Sequence, residues 1–214
     1  MGVFTMDELQ QLKTGTTTVG LVCKDGVILA ADKRATAGNL IVDKKAEKTH
    51  ILNDDCAVTI AGSVSEAQLL IKLSRAELKL KEVRTNKKTS AKEAANLIGG
   101  LLYSNIRKYF PGVAHFLLGA KDHKGVHLYD LFPDGSVTEI TDYVSSGSGS
   151  VFAYGVLETQ YKNNMSVQDG LKLVVRCITA SMARDNYSGN GIDIVIIGEK
   201  EIRRVMPKEI EALQ

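Results

Sequence analysis

Three cysteines among 214 residues, Cys23, Cys56 and Cys177, are too few, odd in number and too far apart for a disulfide framework, and no CxxC spacing is present. Each lies in an apolar stretch (Leu21-Val22-Cys23, Cys56-Ala57-Val58, Arg176-Cys177-Ile178) and reads as a core thiol. Histidine is equally sparse: His50, His115, His123 and His127 are scattered. His123 and His127 are four apart, but His127 sits in the alternating run Val126-His127-Leu128-Tyr129, which reads as a strand. On a strand that spacing is not the helical metal pair, so no metal and no cofactor are expected. Nor is there an excess of one charge. With 27 basic and 25 acidic residues the net charge is +2, which supplies no field for nucleic acid or an anionic membrane. No apolar run approaches the roughly 20 residues of a membrane span. The opening MGVFTMDELQQLKTG carries Asp7 and Glu8 where a signal peptide needs its apolar stretch, so secretion is not expected. No linker divides the chain and no internal repeat is obvious. With 44% hydrophobic and 24% charged residues, the composition is that of a globular chain, expected to be soluble and cytoplasmic.

What is present begins with β-branched, apolar segments at 17–23 (TTVGLVC) and 27–32 (VILAAD), joined by Lys24-Asp25-Gly26, an Asp-Gly hairpin signal. Strands follow near 48–52 and 56–61. Ser63 and Glu66 then have capping-box spacing and open VSEAQLLIKLSRAELKLKEVR, where Leu69, Leu70, Leu73, Ala76 and Leu80 recur at helical intervals. Ser90 and Glu93 repeat the box before a second helix running to about Tyr109, stopped by Pro111 and Gly112. Strands are expected again at 114–120, 125–132 and 136–141. The serine-glycine stretch 145–150 leads into a helix. Ser166 and Asp169 cap another that ends near Asp185, and 192–198 (IDIVIIG) reads as a fully apolar strand buried on both faces. The order is strands, two helices, strands, two helices, strand. Two stacked, mainly antiparallel sheets with helices on both outer faces bury every apolar face in that order, so the expected class is α+β, a four-layer αββα sandwich.

Five strings and one lysine stand in register along the chain: GTTTVG at 15–20, AADKRAT at 30–36, Lys48, IAGSVSEAQ at 60–68, SGSGSVFAYGVLE at 146–158 and RDNYSG at 184–189. Together they resemble a proteasome β subunit of archaeal type, over nearly all of residues 13–198. The resemblance implies the αββα fold of N-terminal-nucleophile hydrolases and a threonine endopeptidase. It places the nucleophile at Thr16, exposed when the Gly15–Thr16 bond is cut, with residues 1–15 as a propeptide and 16–214 as a single domain. The chemistry is sound on elementary grounds. A threonine hydroxyl needs a base, and a freed α-amine has an ordinary pKa of about 7.7–8.0, so one residue carries both. The Thr16 methyl restricts the hydroxyl's rotation, and Gly15 suits the strained backbone that attack on its carbonyl requires.

By the same resemblance Lys48 is the cation beside Thr16 and Asp32 its partner, and Gly62, at a strand-to-helix turn, supplies an oxyanion-hole N–H. Ser148, Asp185 and Ser188 form the supporting group. Asn186-Tyr187 between the last two depart from the small residues often found there. Ala35, Ala46, Ile60 and Val64 line the substrate pocket, with His50 at its border, and Thr36 offers backbone contacts to an extended peptide. Small apolar walls favour an apolar residue before the cut. The implied partners are other β subunits in a seven-membered ring stacked on a second β ring, α-type subunits, an ATP-dependent unfoldase and unfolded polypeptides, with neither nucleic acid nor membrane.

Three other readings compete. A catalytically silent ring subunit has no need of Thr16, Asp32, Lys48 and Gly62 together. Another N-terminal-nucleophile amidase, or a bacterial-type relative without α rings, fits the strings at 147–158 and 184–189 less well. A nucleic-acid face built from Arg75, Lys79, Lys81, Arg84, Lys87, Lys88 and Lys92 is interleaved with Glu77, Glu82 and Glu93 and reads better as a solvated helix.

Overall fold

A computed structural model describes residues 15–108 and 112–213 of the chain. Most of the expected propeptide, residues 1–14, and the expected helix end at Tyr109 and Pro111 lie outside the described residues. The first hairpin joins β1 (Thr18–Cys23) to β2 (Gly26–Asp32), with Cys23 opposite Gly26, so Lys24 and Asp25 alone make the turn. A small hairpin of β3 (Ala35–Ala37) and β4 (Leu40–Asp43) follows, then β5 (Thr49–Asn53) and β6 (Cys56–Gly62). Helices α1 (Val64–Thr85) and α2 (Ala91–Ile106) precede β7 (Ala114–Asp122), β8 (Gly125–Leu131), β9 (Val137–Ile140) and β10 (Tyr143–Ser146). The chain continues through α3 (Ser150–Gln160), α4 (Val167–Arg184), β11 (Ile192–Gly198), β12 (Ile202–Arg204) and α5 (Pro207–Glu211).

Two five-stranded antiparallel sheets result, in the orders β10-β1-β2-β11-β12 and β5-β6-β7-β8-β9. Strand periodicity explains how they stack. In β2, Ile28 and Ala30 face α3 and α4, while Val27 and Leu29 face the other sheet. In β7, Phe116, Leu118 and Ala120 lie under α1 and α2, and Leu117 faces inward to meet Val27 and Val195. The three apolar layers between four structural layers give the αββα sandwich that the element order implies. The sheets meet closely at Gly119, where an added Cβ would lie 2.6 Å from Ile197 Cδ1.

Several local expectations are corrected. The apolar stripe on α1 is not the one its leucines suggest: Leu70 is buried, but Leu69, Leu73, Ala76 and Leu80 are exposed. The face that packs on the sheet is Ala67, Leu70, Ile71, Ser74 and Leu78, and the hydroxyl of Ser74 in its middle disguises it. The capping box at Ser63 does not form. Ser63 Oγ pairs with Ser65 Oγ at 3.2 Å, and the Glu66 stem is drawn to Gly112 and its carboxylate toward Lys108 at 3.6 Å. The second box forms in full, with Ser90 and Glu93 bonding reciprocally. Ser145 and Ser146, expected in a glycine-serine connection, end β10, and β11 is not wholly apolar, because Asp193 stands inside it. The short elements β3, β4, β12 and α5 have too few residues to show a period.

The corrected helix face has a measurable consequence. Leu78 is 1% exposed and Leu80 is 38% exposed. Leu78→Ala is expected to destabilise the fold by about 2–5 kcal/mol, and Leu80→Ala by less than about 1 kcal/mol, as read from urea unfolding. Equal losses would return Leu80 to the core.

Candidate active site

The β2 strand delivers Asp32 at its end, fully buried, where four donors converge on one carboxylate. Thr17 N (3.0 Å) and Lys48 Nζ (2.8 Å) donate to Oδ1, and Arg34 N and Gly189 N (both 2.9 Å) donate to Oδ2. Lys48 precedes β5 and is 5% exposed, so the pair joins one sheet to the other as a buried contact. Burial pushes the Lys48 ammonium below its ordinary 10.5, and Asp32 opposes that shift. Asp185 also supports the charge and Arg34 opposes it, which places both near Lys48.

Thr16 leads into β1 and is 5% exposed. Its hydroxyl donates to the carbonyl oxygen of Gly15 at 2.7 Å, so Oγ1 lies against the Gly15–Thr16 peptide group. The Thr16 amide donates to Ser148 Oγ at 3.3 Å. Ser148 and Ser188 each donate to Asp185 Oδ2 at 2.6 Å. With the Ser188 proton committed there, the 2.7 Å contact between Thr17 Oγ1 and Ser188 Oγ is donated by Thr17. The turn that brings Ser148 in needs Gly147, whose φ is 92° and where a Cβ would lie 2.0 Å from Thr16 O. Gly15 is required by space as well: a Cβ there would lie 1.9 Å from Tyr187 Cβ.

Thr16, Asp32, Lys48, Ser148, Asp185 and Ser188 therefore form one connected group. Gly62 is not bonded into it. Gly62 ends β6 with φ 106°, two residues after Ile60, whose N–H donates to Lys48 O at 2.9 Å. A Cβ at Gly62 would lie 2.2 Å from Val113 O, so the turn admits only glycine. Among the expected pocket residues, Thr36 is buried and its hydroxyl accepts from Gly15 N at 3.4 Å. Ala35 beside it is half-buried, and Ala46 N donates to Lys33 O at 3.0 Å, next to Asp32. Ile60 packs into the core under α1 and α2, and Val64 is exposed at the start of α1. His50 is half-buried, its Nε2 has no partner, and burial lowers its pKa with Arg75 adding to the shift.

Three further contributors are given no role by the sequence. Thr17, next to Thr16, bonds to both Asp32 and Ser188. Arg34 braces the 186–190 loop, donating to Asn186 O (2.7 Å) and Asn190 Oδ1 (2.8 Å). Tyr187 walls the Gly15 position. Only Arg34 had a usable cue, its place two residues after the strand-end carboxylate. The three thiols lie away from this group, and burial pushes each up to about 12, so they are inert core groups. Among the described residues no group of three or more His, Cys, Asp or Glu could hold a metal ion.

Comparison with known proteins identifies the family. The family model described as proteasome subunit matches residues 12–197. A proteasome subunit beta from Ferroglobus placidus is 45% identical over 199 residues, covering 93% of this chain and 94% of the relative. Its counterpart in Methanocaldococcus fervens is 44% identical over 200 residues, covering 93% and 88%. That of Archaeoglobus fulgidus is 43% identical over 204 residues, covering 95% of each.

The four-donor environment of Asp32 fixes an order of stabilities. Asp32→Ala strands a buried ammonium and three main-chain N–H groups, and is expected to cost about 3–5 kcal/mol. Lys48→Met leaves the carboxylate its three N–H donors and should cost clearly less. Urea midpoints of the two variants check this, and the reverse order would contradict it.

Proposed function

This chain belongs to the proteasome β-subunit family of archaeal type, and we propose that it is a proteolytic member, a threonine endopeptidase that cuts its own Gly15–Thr16 bond. The observation that carries this is the hydroxyl of Thr16 resting on the Gly15 carbonyl oxygen at 2.7 Å, with Ser148 at the intervening nitrogen at 3.3 Å. In processing, Oγ1 attacks the Gly15 carbonyl carbon, the C–N bond to Thr16 breaks and an ester forms. The Oγ1 proton passes to the departing nitrogen, which becomes the free Thr16 amine. Water then cleaves the ester, releasing residues 1–15 with a Gly15 carboxylate and restoring the Thr16 hydroxyl. That amine inherits the place of the amide beside Ser148.

In turnover the neutral amine takes the Oγ1 proton, directly or through a water, and Oγ1 attacks the substrate carbonyl. The Lys48 ammonium lowers the cost of the developing alkoxide and keeps the amine from being protonated too readily, and Asp32 holds the ammonium in place. Gly62 N–H is assigned to the substrate oxyanion. Ala35, Ala46, Ile60, Val64 and the border at His50 are assigned to the pocket, with Thr36 on the substrate backbone. Assembly partners on this reading are β subunits in stacked seven-membered rings, α-type subunits and an ATP-dependent unfoldase, working on unfolded polypeptide in the cytoplasm. A silent structural subunit is the second reading. The intact Asp32–Lys48 pair counts against it, since a buried ion pair is replaceable by apolar packing where no chemistry needs it.

Intact-mass measurement on the chain co-assembled with its α-type partner tests the reading. The mature chain should begin at Thr16, whereas Thr16→Ala should retain residues 1–15 and show no peptidase activity. Lys48→Ala should fold and cleave nothing. Full activity with Met1–Gly15 still attached would sink the mechanism.

The pH profile gives a second check. The amine must be neutral, so kcat rises with pH on the acid side. The Lys48 ammonium must stay charged, and its pKa is lowered, so kcat should fall on the alkaline side at a pH below 10.5. A rate that holds steady through that value would remove Lys48 as the required cation.

A further inference from the structure

A second buried carboxylate lies between the sheets and takes no part in the steps above. Asp193 follows Ile192, which pairs with Asp32 across β11 and β2, and is 4% exposed. It shares the face of β11 that carries Val195 and Ile197 into the inter-sheet core. Its Oδ2 accepts from Thr49 Oγ1 at 2.7 Å and from Thr49 N at 3.3 Å, and Oδ1 accepts from the Arg204 guanidinium. Arg204, on β12, also donates to Thr49 O at 2.9 Å and to Thr49 Oγ1 at 3.2 Å. Thr49 is thus held by its N–H, its carbonyl and its hydroxyl at once.

Thr49 is the residue after Lys48. Its strand β5 is the outermost of its sheet, paired on one side alone by β6, where Lys48 O accepts from Ile60 N at 2.9 Å. The main-chain groups of Thr49 on the open edge would be orphans without Asp193 and Arg204. We propose that Asp193 and Arg204, acting through Thr49, are positioning residues that fix the Lys48 ammonium against Asp32 and Thr16. The proposal rests on the reading of Lys48 as the cation beside the nucleophile.

A lysine stem has four rotatable carbons, so the place of its ammonium is only as certain as the place of its backbone. An edge strand held on one side can shift by fractions of an ångström, and misplacement by about 1 Å can cost about 100-fold in rate. Apolar side chains at 49, 193 and 204 would fill the same space without a desolvation cost, but they would not fix the direction of the strand edge. The clamp joins β5 to β11, next to the strand that carries Asp32, so it sets the same distance that the Lys48–Asp32 pair spans.

The test uses particles co-assembled with the α-type partner, with active sites counted by a covalent threonine-directed electrophile and Thr16 labelling located by mass spectrometry. Thr49→Val removes the hydroxyl and keeps the strand. It should lower kcat per labelled Thr16 about tenfold while leaving KM within about twofold. Asp193→Asn should lower kcat further, and Thr49→Ser, which restores the hydroxyl, should recover most of it. Full kcat in Thr49→Val, or a parallel change in KM and kcat that Thr49→Ser does not reverse, overturns the clamp. If Asp193→Asn fails to fold, Thr49→Val decides alone. A wild-type particle that cleaves peptides with Thr16 unlabelled overturns the Thr16 reading itself, whereas normal wild-type labelling with an unaffected Thr49→Val overturns only the clamp.

Discussion

The Asp32 carboxylate gathers four donors from four separate stretches of chain: Thr17, Arg34, Lys48 and Gly189. They come from the residue before β1, the turn after β2, the entry to β5 and the loop before β11. A fully buried carboxylate costs several kcal/mol of desolvation, and that cost is offset only when each lone pair is occupied in good geometry. The carboxylate therefore acts as a geometric constraint. Each of the four segments must arrive at its place for the others to be tolerable, and the residue that precedes Thr17 is Thr16. The place of Thr16 is thus tied to the carboxylate through the backbone N–H of the residue after it.

Charge is distributed along the inter-sheet gap in a way that apolar packing would not require. Between the sheets the layer is aliphatic, with Val27, Leu29, Leu117, Leu128, Val195 and Ile197. At one end of it stand Asp32 with Lys48 and Asp193 with Arg204, both cations reaching from neighbouring segments. Aliphatic contact holds two sheets at about 10 Å but is nearly indifferent to small sliding. Hydrogen-bonded ions are not indifferent. The stack is stabilised by the first kind of contact and registered by the second, which is a sensible division where a reaction depends on sub-ångström placement.

Much of this was legible in the sequence, and what was not has physical causes. Strands β2, β7 and β11 are buried on both faces over most of their length, so they appear as mainly apolar runs, and the two helix pairs carry caps at Ser90 and Ser166 that the structure shows bonded. The face of α1 was misread because its outward leucines are as regular as its inward residues, and periodicity gives a spacing but not a direction. Ser63 has the capping spacing, yet Glu66 is captured by a segment 46 residues away at Gly112, a tertiary effect that no local pattern encodes. In the site, Thr16, Asp32 and Lys48 were found through a resemblance, and elementary chemistry alone would have passed over Lys48 among Lys44 and Lys45. Thr17, Tyr187 and Asp193 were missed because their roles exist only once the sheets are stacked. An aspartate inside IDIVIIG was nevertheless a visible irregularity. A charged residue in a run otherwise buried on both faces has to be paired, and the pairing is where Thr49 and Arg204 were found.

The intact Gly15–Thr16 peptide clarifies why one cluster can serve two reactions on the proposed reading. Before the cut, the nitrogen of Thr16 is an amide that can only donate, and Ser148 Oγ accepts from it while donating to Asp185. After the cut the same nitrogen is an amine that must accept a proton and later return it. The serine hydroxyl suits both states, because it can accept from the nitrogen while its own proton stays on the carboxylate. Asp185 supplies the counter-charge when the amine is protonated, and Lys48, whose ammonium is already destabilised by burial, opposes that protonation from the other side. The amine is thus balanced between a carboxylate reached through a hydroxyl and a cation held by Asp32. A base created by the enzyme's own first reaction needs surroundings that are complete before it exists. In this fold they are, because every contact that would tune the amine is made by residues whose positions the buried carboxylates already determine.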